Sequence, residues 1–384
     1  MSHPIPPSPA GQPPGATVAA PAAPTASTPV SWPDAARRAA FDAWLAPLVG
    51  PHQLLPATLR PASADASFRR YLRIDTATGA SRIVMDAPPD KENCKPFVQV
   101  QGLMAAAGLN VPQILAFDEP TGFMLLSDLG HQTVIERLNP EKPQDAYAWY
   151  QQATDVLLQW QKASTPGVLP AYDEALLRRE LALFPDWYLA KHRGVTLDAG
   201  QQATLSSAFD AIVAHNLAAP QVYVHRDFMT RNLMVPVQEG APLGVLDFQD
   251  AVYGPITYDI ASLMRDAFIS WEEEFVIDIT VRYWEKARKA GLLGANSASG
   301  FGEDFGEFYR SVEWMGLQRH FKVAGIFARL TLRDGKPKYL ADAPRFMAYI
   351  RATTHRYRQL GPLLKMLDEI EGTEAPMGYA FGRV

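Results

Sequence analysis

"YVHRDFMTRN", residues 223–232, sets a histidine, two arginines, an aspartate and an asparagine between apolar stretches, and its reading decides the fold. Taken singly, Asp227 and Asn232 are ordinary turn residues, because short polar side chains hydrogen-bond their own backbone. A second stretch, "GVLDFQD" (244–250), changes that reading. Asp227, Asn232 and Asp247 each stand beside a short strand-like piece, so three oxygen-bearing side chains can converge at adjacent strand ends. Phosphoryl transfer needs such a set. One carboxylate orients a hydroxyl and accepts its proton, while an amide oxygen and a second carboxylate hold Mg²⁺ against phosphate oxygens.

Outward from this stretch the hydrophobic period changes. Beyond residue 131 it is helical: Tyr150, Ala153, Leu157 and Trp160 share one face, and segments 175–193, 202–217, 270–290, 303–330 and 343–370 follow the same spacing. Between residues 54 and 127 the pattern is shorter. "FRRYLRID" (68–75) and "SRIVMDAP" (81–88) flank Thr78-Gly79 and predict a hairpin. Phe97, Val100, Leu103 and Met104 predict a helix ending near Gly108, and "GFMLLSDLG" (122–130) a buried strand leaving into a loop. Residues 1–32 are rich in proline and alanine, cannot form a packed core, and are expected to be a disordered tail.

With 384 residues and 47% hydrophobic content the chain can bury a large core. Its net charge of −5 argues against nucleic acid or an anionic membrane as the main partner. A small molecule fits better. Cys94 is the single cysteine, which excludes an internal disulfide and fits a reducing compartment. No apolar run reaches membrane-spanning length and the first 33 positions carry no Lys or Arg, so a cytoplasmic protein is expected.

His225-Arg226-Asp227, followed after four residues by Asn232, resembles the catalytic loop of protein kinases, and Asp247-Phe248-Gln249 stands where their metal-binding motif would. Glutamine in place of glycine there, and the continuation "YGPITYDIASLMRD" (253–266), resemble the aminoglycoside phosphotransferase and choline kinase branch. The resemblance implies an α+β, protein-kinase-like two-lobe fold. A small mixed N-lobe with an antiparallel sheet (33–128) would bind nucleotide, and a larger, mainly helical C-lobe (129–384) would carry catalysis and the acceptor. It also implies ATP and Mg²⁺, with Asp227 as the base, Asn232 and Asp247 on the metal, and His225 in a structural role. Asp259 would brace the loop's backbone, a role its place at a helix start also supports. "ADASFRRYLRI" (64–74), "MDAPPDKENCKPFVQV" (85–100), "NVPQILAFD" (110–118) and the stretch 312–350 resemble the bacterial N-acetylmuramate/N-acetylglucosamine anomeric kinases, which phosphorylate the C1 hydroxyl of free amino sugars in peptidoglycan recycling.

The small lobe departs from the kinase pattern. No glycine-rich phosphate loop is present, and "SADASF" (63–68) offers only backbone N–H groups and the Ser67 hydroxyl. The third strand, Ile83-Val84-Met85-Asp86, has no lysine, so either Lys91, Lys95 or an arginine such as Arg69 supplies the charge from outside it or the small lobe aligns differently. Gln99 and Gln101 stand where the partner glutamate would. Adenine is expected against Ser127 to Gly130, with Ser127 and Asp128 as contacts. Missing small-lobe charges also leave a kinase-like scaffold without turnover as a second expectation.

For the acceptor, residues 301–384 hold more Lys and Arg than Asp and Glu, which suits a neutral or anionic sugar better than a polycationic aminoglycoside. Arg319, His320, Lys322 or Arg329 are candidates to meet a carboxylate. Trp187, Tyr258 or Trp314 are candidates to stack on a sugar face, although Trp314 has the neighbours of a core residue. No aromatic and acidic cage for choline is evident. The expected partners are ATP and a small amino sugar.

Overall fold

The computed structural model describes residues 30–63, 68–238, 240–294 and 300–373. Nearly all of the expected tail, and Ser67, lie outside these. The first helix, α1 (Ala35–Val49), is capped by Asp34, whose carboxylate accepts the Arg37 N–H at 2.7 Å. Then come β1 (Arg60–Ser63), β2 (Arg70–Asp75), β3 (Ser81–Asp86), α2 (Lys95–Ala106), β4 (Ile114–Asp118) and β5 (Phe123–Ser127). They form a five-stranded antiparallel sheet in the order β1-β2-β3-β5-β4. The hairpin read from the sequence is β2–β3, with Tyr71 opposite Met85, and its turn residue Gly79 has φ +83°.

Strand alternation divides the sheet's residues between two cores. Leu72, Ile74, Val84, Phe123 and Leu125 pack under α1 against Phe41 and Leu45. Met85, Met124 and Leu126 face the other way, into the main core with Phe97 and Phe248. The same parity puts Ile83, not a lysine, on the cleft-facing side of β3. Asp86 turns to the α1 side, fully buried, where Arg37 at 2.5 Å and Arg70 pair with its two oxygens and fasten α1 to the sheet. Tyr71 and Arg73 of β2 lie on the opposite, cleft-facing side.

The helical part contains α3 (Pro143–Lys162), α4 (Glu174–Leu181), α5 (Ala199–Leu217), the short strands β6 (Gln221–Val224), β7 (Leu233–Met234), β8 (Gly244–Val245) and β9 (Val252–Pro255), and then α6 (Thr257–Met264), α7 (Glu273–Lys289), α8 (Phe305–Leu332), α9 (Ala343–Arg356) and α10 (Gly361–Glu371). The 28-residue α8 is buried along most of its length and organises the others. It passes so close to the chain just after α4 that a Cβ on Gly325 would stand 2.4 Å from the Leu183 carbonyl.

Two expected helices are divided. Segment 175–193 is α4 followed by a π-helix, Phe184–His192, because Pro185 supplies no N–H to a regular ladder. Segment 343–370 breaks at Arg358–Leu360, where Pro362 cannot continue a helix and instead begins a new one. Strand β9 was not expected, since Gly254-Pro255 reads as a breaker. It pairs with β6 (Tyr223 opposite Tyr253) in a two-stranded ribbon, where an edge position tolerates proline.

Candidate active site

Strand β6 ends at the start of the conspicuous loop, and α6 lies beneath it. Asp259, in the first turn of α6 and fully buried, accepts the backbone N–H of His225 at 2.7 Å and of Arg226 at 3.0 Å. Burial nevertheless pushes its carboxyl up to about 7, against the pull of those two bonds and of Arg319. Asp266, just past α6 and also buried, takes the Thr230 hydroxyl at 2.9 Å and the Thr230 N–H at 3.3 Å. Two carboxylates from one segment therefore grip both ends of the loop. The grip holds Arg226 at φ +76°, and across the site Asp247 stands at φ +64°; both are left-handed conformations that cost a non-glycine residue of order 1 kcal/mol.

This frame brings the three sequence-predicted residues together. The Asn232 amide donates to the Asp227 carbonyl at 2.9 Å and to Asp247 Oδ2 at 3.3 Å. Gln249 donates to Asp247 Oδ1 at 3.0 Å and so fixes that carboxylate from the other side. The half-buried Asp227 carboxylate accepts no hydrogen bond from the described residues. His225 is buried. Its Nε2 meets the Leu246 carbonyl at 3.0 Å, its Nδ1 accepts the Asp227 N–H at 3.3 Å, and burial drives its pKa down to about 4, so the ring is a neutral spacer between the two loops.

On one side of Asp247 opens a cleft of about 430 Å³, lined by Tyr71, Arg73, Ile83, Leu126, Ser127 to His131, Asn232 and Phe248. Its size suits a small-molecule ligand. Ser127 and Asp128 lie there as expected. The Asp128 carboxylate, however, is engaged by Arg73 at 2.6 Å, by the Ser81 hydroxyl at 2.6 Å and by the Gly130 N–H at 3.0 Å, which hold it below the usual carboxylate range against its burial. Arg73, unmarked in the sequence, thus pins the connection between the two lobes. Arg69 lies 3.2 Å from Glu92. Desolvation would lower its pKa, but the fields of Tyr71, Glu92, Asp247 and Asp250 raise it, and Arg69 is not among the residues lining this cleft.

Lys91 does not reach this cleft. It sits in the loop before α2, 5.4 Å from the Phe68 ring, and Lys95 is an exposed partner of Glu119. Gln99 donates to the Val168 carbonyl and lines a different cleft.

That second cleft, about 530 Å³, lies on the Arg226 side of the loop, between α4, α8 and the stretch Gln249 to Val252. Its charged lining is Arg179, Glu180, Arg226, Asp250, Lys322 and Arg329. Glu180 joins Arg226 at 2.5 Å and Lys322 at 3.0 Å; burial would raise its pKa, but Lys322 and Arg226 hold it below the usual value. Gln249 Oε1 is buried there without a hydrogen-bond partner among the described residues. Glu180 and Arg179 carried no sequence signal, sitting in an ordinary charged helix.

Of the residues expected to contact the acceptor, Lys322 and Arg329 line this cleft, while Trp187, Tyr258, Trp314, Arg319 and His320 do not. Trp314 is core, packed between His215 and Tyr357. His320 is buried against Tyr349 with ring centroids 4.7 Å apart. Arg319 is buried over Tyr258 and beside Met229, supporting the loop from below. In a buried helix such as α8, only the stripe facing the cleft can reach a ligand. Tyr258 is also buried, so its ring supports Lys322 and Arg319 and offers no open face.

Residues 58–293 match the phosphotransferase enzyme family. The chain is 50% identical over 322 residues to an N-acetylmuramate/N-acetylglucosamine kinase of Neisseria meningitidis serogroup B, covering 83% of this chain and 93% of that one. It is likewise 50% identical over 321 residues to an N-acetylmuramate/N-acetylglucosamine kinase of Pseudomonas aeruginosa, covering 83% and 91%. Among solved structures, an aminoglycoside 2'-phosphotransferase superposes with a TM-score of 0.55 at 13% identity, over 83% of this chain and 98% of that one. At that identity the likeness is one of fold alone, and the fold is the expected two-lobed, kinase-like one.

Proposed function

From the premise that this chain belongs to the phosphotransferase enzyme family, we propose that it is an ATP-dependent sugar kinase acting on the C1 hydroxyl of N-acetylmuramate, N-acetylglucosamine or both, in the recycling of peptidoglycan sugars. The observation that carries the reading is the span of the 225–232 loop from one cleft to another: Arg226, next to Asp227, lines one, and Asn232 lines the other. The Asn232 cleft also presents Asp247, and the Arg226 cleft a basic, hydrogen-bonding wall.

ATP lies in the first cleft in this reading, with adenine against Ser127 to Gly130 and Arg69 serving the phosphates in place of a third-strand lysine. The residues present fit Mg²⁺. One carboxylate and one amide oxygen, without a cluster of three acidic or histidine side chains among the described residues, are the donors of an ion that shares its shell with phosphate. Asn232 and Asp247 would hold it, and it would supply neutralisation of phosphate charge.

The sugar occupies the second cleft with its C1 hydroxyl at Asp227. Asp227 takes the hydroxyl proton as the oxygen–phosphorus bond forms and the bond from the γ-phosphorus to the β-phosphate oxygen breaks, releasing ADP. Gln249 Oε1, an acceptor without a donor, suits a hydroxyl or amide N–H of an N-acetyl sugar. A polycationic aminoglycoside fits this wall poorly, because Glu180 is already matched by Arg226 and Lys322. The lobes in this reading are 33–128 and 129–384, and the grip of Arg73 on Asp128 supports a junction there. A cytoplasmic location accompanies the use of ATP.

The test is an acceptor panel of N-acetylmuramate, N-acetylglucosamine, glucosamine, choline and kanamycin with ATP-Mg²⁺, and NMR of the product. Phosphate on C1 of an N-acetyl sugar supports the reading; turnover of choline or kanamycin alone ends it.

A further inference from the structure

The second cleft is unevenly compensated. Near the catalytic loop its cations have partners: Glu180 serves Arg226 and Lys322, and Lys322 also meets the Tyr258 hydroxyl at 3.0 Å. Along α8 the cleft-facing stripe continues through Ile326 to Arg329, two turns from Lys322 and roughly 10 Å further along the helix. There the compensation stops. Arg329 is half-buried, forms no ion pair among the described residues, and has its Nε buried without a hydrogen-bond partner. Desolvation and the neighbouring Arg333 lower its pKa, and Asp334, which opposes them, is itself paired with Arg333 at 2.6 Å.

Arg179 of α4 lines the same cleft and has no ion pair among the described residues, whereas the adjacent Arg178 is engaged by Glu174 and Asp210. Arg179 is exposed, but the partly desolvated, uncompensated Arg329 guanidinium is costly, and a carboxylate received bidentately removes that cost.

We propose that Arg329, with Arg179, forms a carboxylate-binding subsite that receives the lactyl carboxylate of N-acetylmuramate and sets the preference for that sugar over N-acetylglucosamine. The inference rests on the acceptor reading above. Lys322 lies at the reacting end and Arg329 about two helical turns away, a span suited to a pyranose bearing a three-carbon acid.

The experiment compares kcat/KM for the two sugars, and for the carboxamide of N-acetylmuramate, in the wild-type chain and in Arg329→Met, Arg329→Lys and Arg179→Gln. Arg329→Met is expected to lower the N-acetylmuramate to N-acetylglucosamine ratio by about tenfold or more, chiefly through KM, with partial recovery in Arg329→Lys. The wild-type chain should lose a similar factor on the carboxamide, and Arg329→Met should no longer distinguish amide from acid. An unchanged ratio in Arg329→Met, or a wild-type chain indifferent to amidation, overturns the subsite while leaving the kinase reading in place. Absence of turnover on both sugars by the wild-type chain overturns the acceptor reading itself.

Discussion

The side-chain amide of Asn232 donates to the main-chain carbonyl of Asp227 at 2.9 Å, closing the loop while leaving the Asp227 carboxylate free of hydrogen bonds from the described residues. A group held in place by its backbone, with its carboxylate uncommitted, is arranged to accept a proton. Asp227→Asn keeps the shape and removes the base. Turnover should fall by about a thousandfold or more, while nucleotide affinity changes only a few fold. Steady-state rates with isothermal titration of ADP-Mg²⁺ check this, and near-normal turnover would remove Asp227 from the mechanism.

Asp247 combines a ligand's chemistry with a left-handed backbone at φ +64°. Asparagine tolerates that conformation and β-branched residues do not. Asp247→Asn should fold normally yet need a much higher Mg²⁺ concentration, with kcat lowered about a hundredfold. Asp247→Val should in addition lose thermal stability. Equal melting temperatures for the two variants would show that the backbone conformation costs nothing.

The His215 ring packs on Trp314 with centroids 4.7 Å apart, and its Nε2 is buried without a hydrogen-bond partner among the described residues. Burial, aided by Arg310, lowers its pKa to about 4 from an ordinary 6.5. The unfolded chain takes up the proton below pH 6.5 and the folded chain only near 4. This stabilising contribution is therefore full above pH 6.5 and drains away as pH falls towards 4. His225 acts in the same sense, whereas Asp259, pushed up to about 7, acts in the opposite one. His215→Phe keeps the stacking and should reduce the net pH slope of unfolding free energy between pH 4.5 and 6.5 by up to about one proton. Urea titrations at several pH values measure it.

Gly325 lets α8 approach the end of α4, where a Cβ would lie 2.4 Å from the Leu183 carbonyl. Backbone cannot yield as a flexible side chain does. Gly325→Ala should destabilise the fold by about 1–3 kcal/mol despite alanine's better helix propensity. Thermal or chemical unfolding reads the loss, and a stabilised variant would show that this packing is loose.

Local pattern was enough for much of the chain. The β2–β3 hairpin, α2 and α3 were legible because alternation and helical spacing are written in consecutive residues. Strand β9 and the division of 343–370 were not. Gly254-Pro255 gains its pairing only once β6 lies alongside, and residues 343–370 keep one hydrophobic period across a proline break.

The amino-acid sequence by itself determined the reaction class, since Asp227, Asn232 and Asp247 stand in motifs whose spacing survives without coordinates. Tertiary structure alone decided which cations face a ligand. Along α8, Trp314, Arg319 and His320 turn into the core while Lys322 and Arg329 turn to the cleft. A helix apolar on most of its surface carries little amphipathic signal of which stripe is open. It also decided the partners of Asp86, Asp128 and Glu180, because an ion pair depends on distance between elements far apart in the chain, which no local pattern encodes.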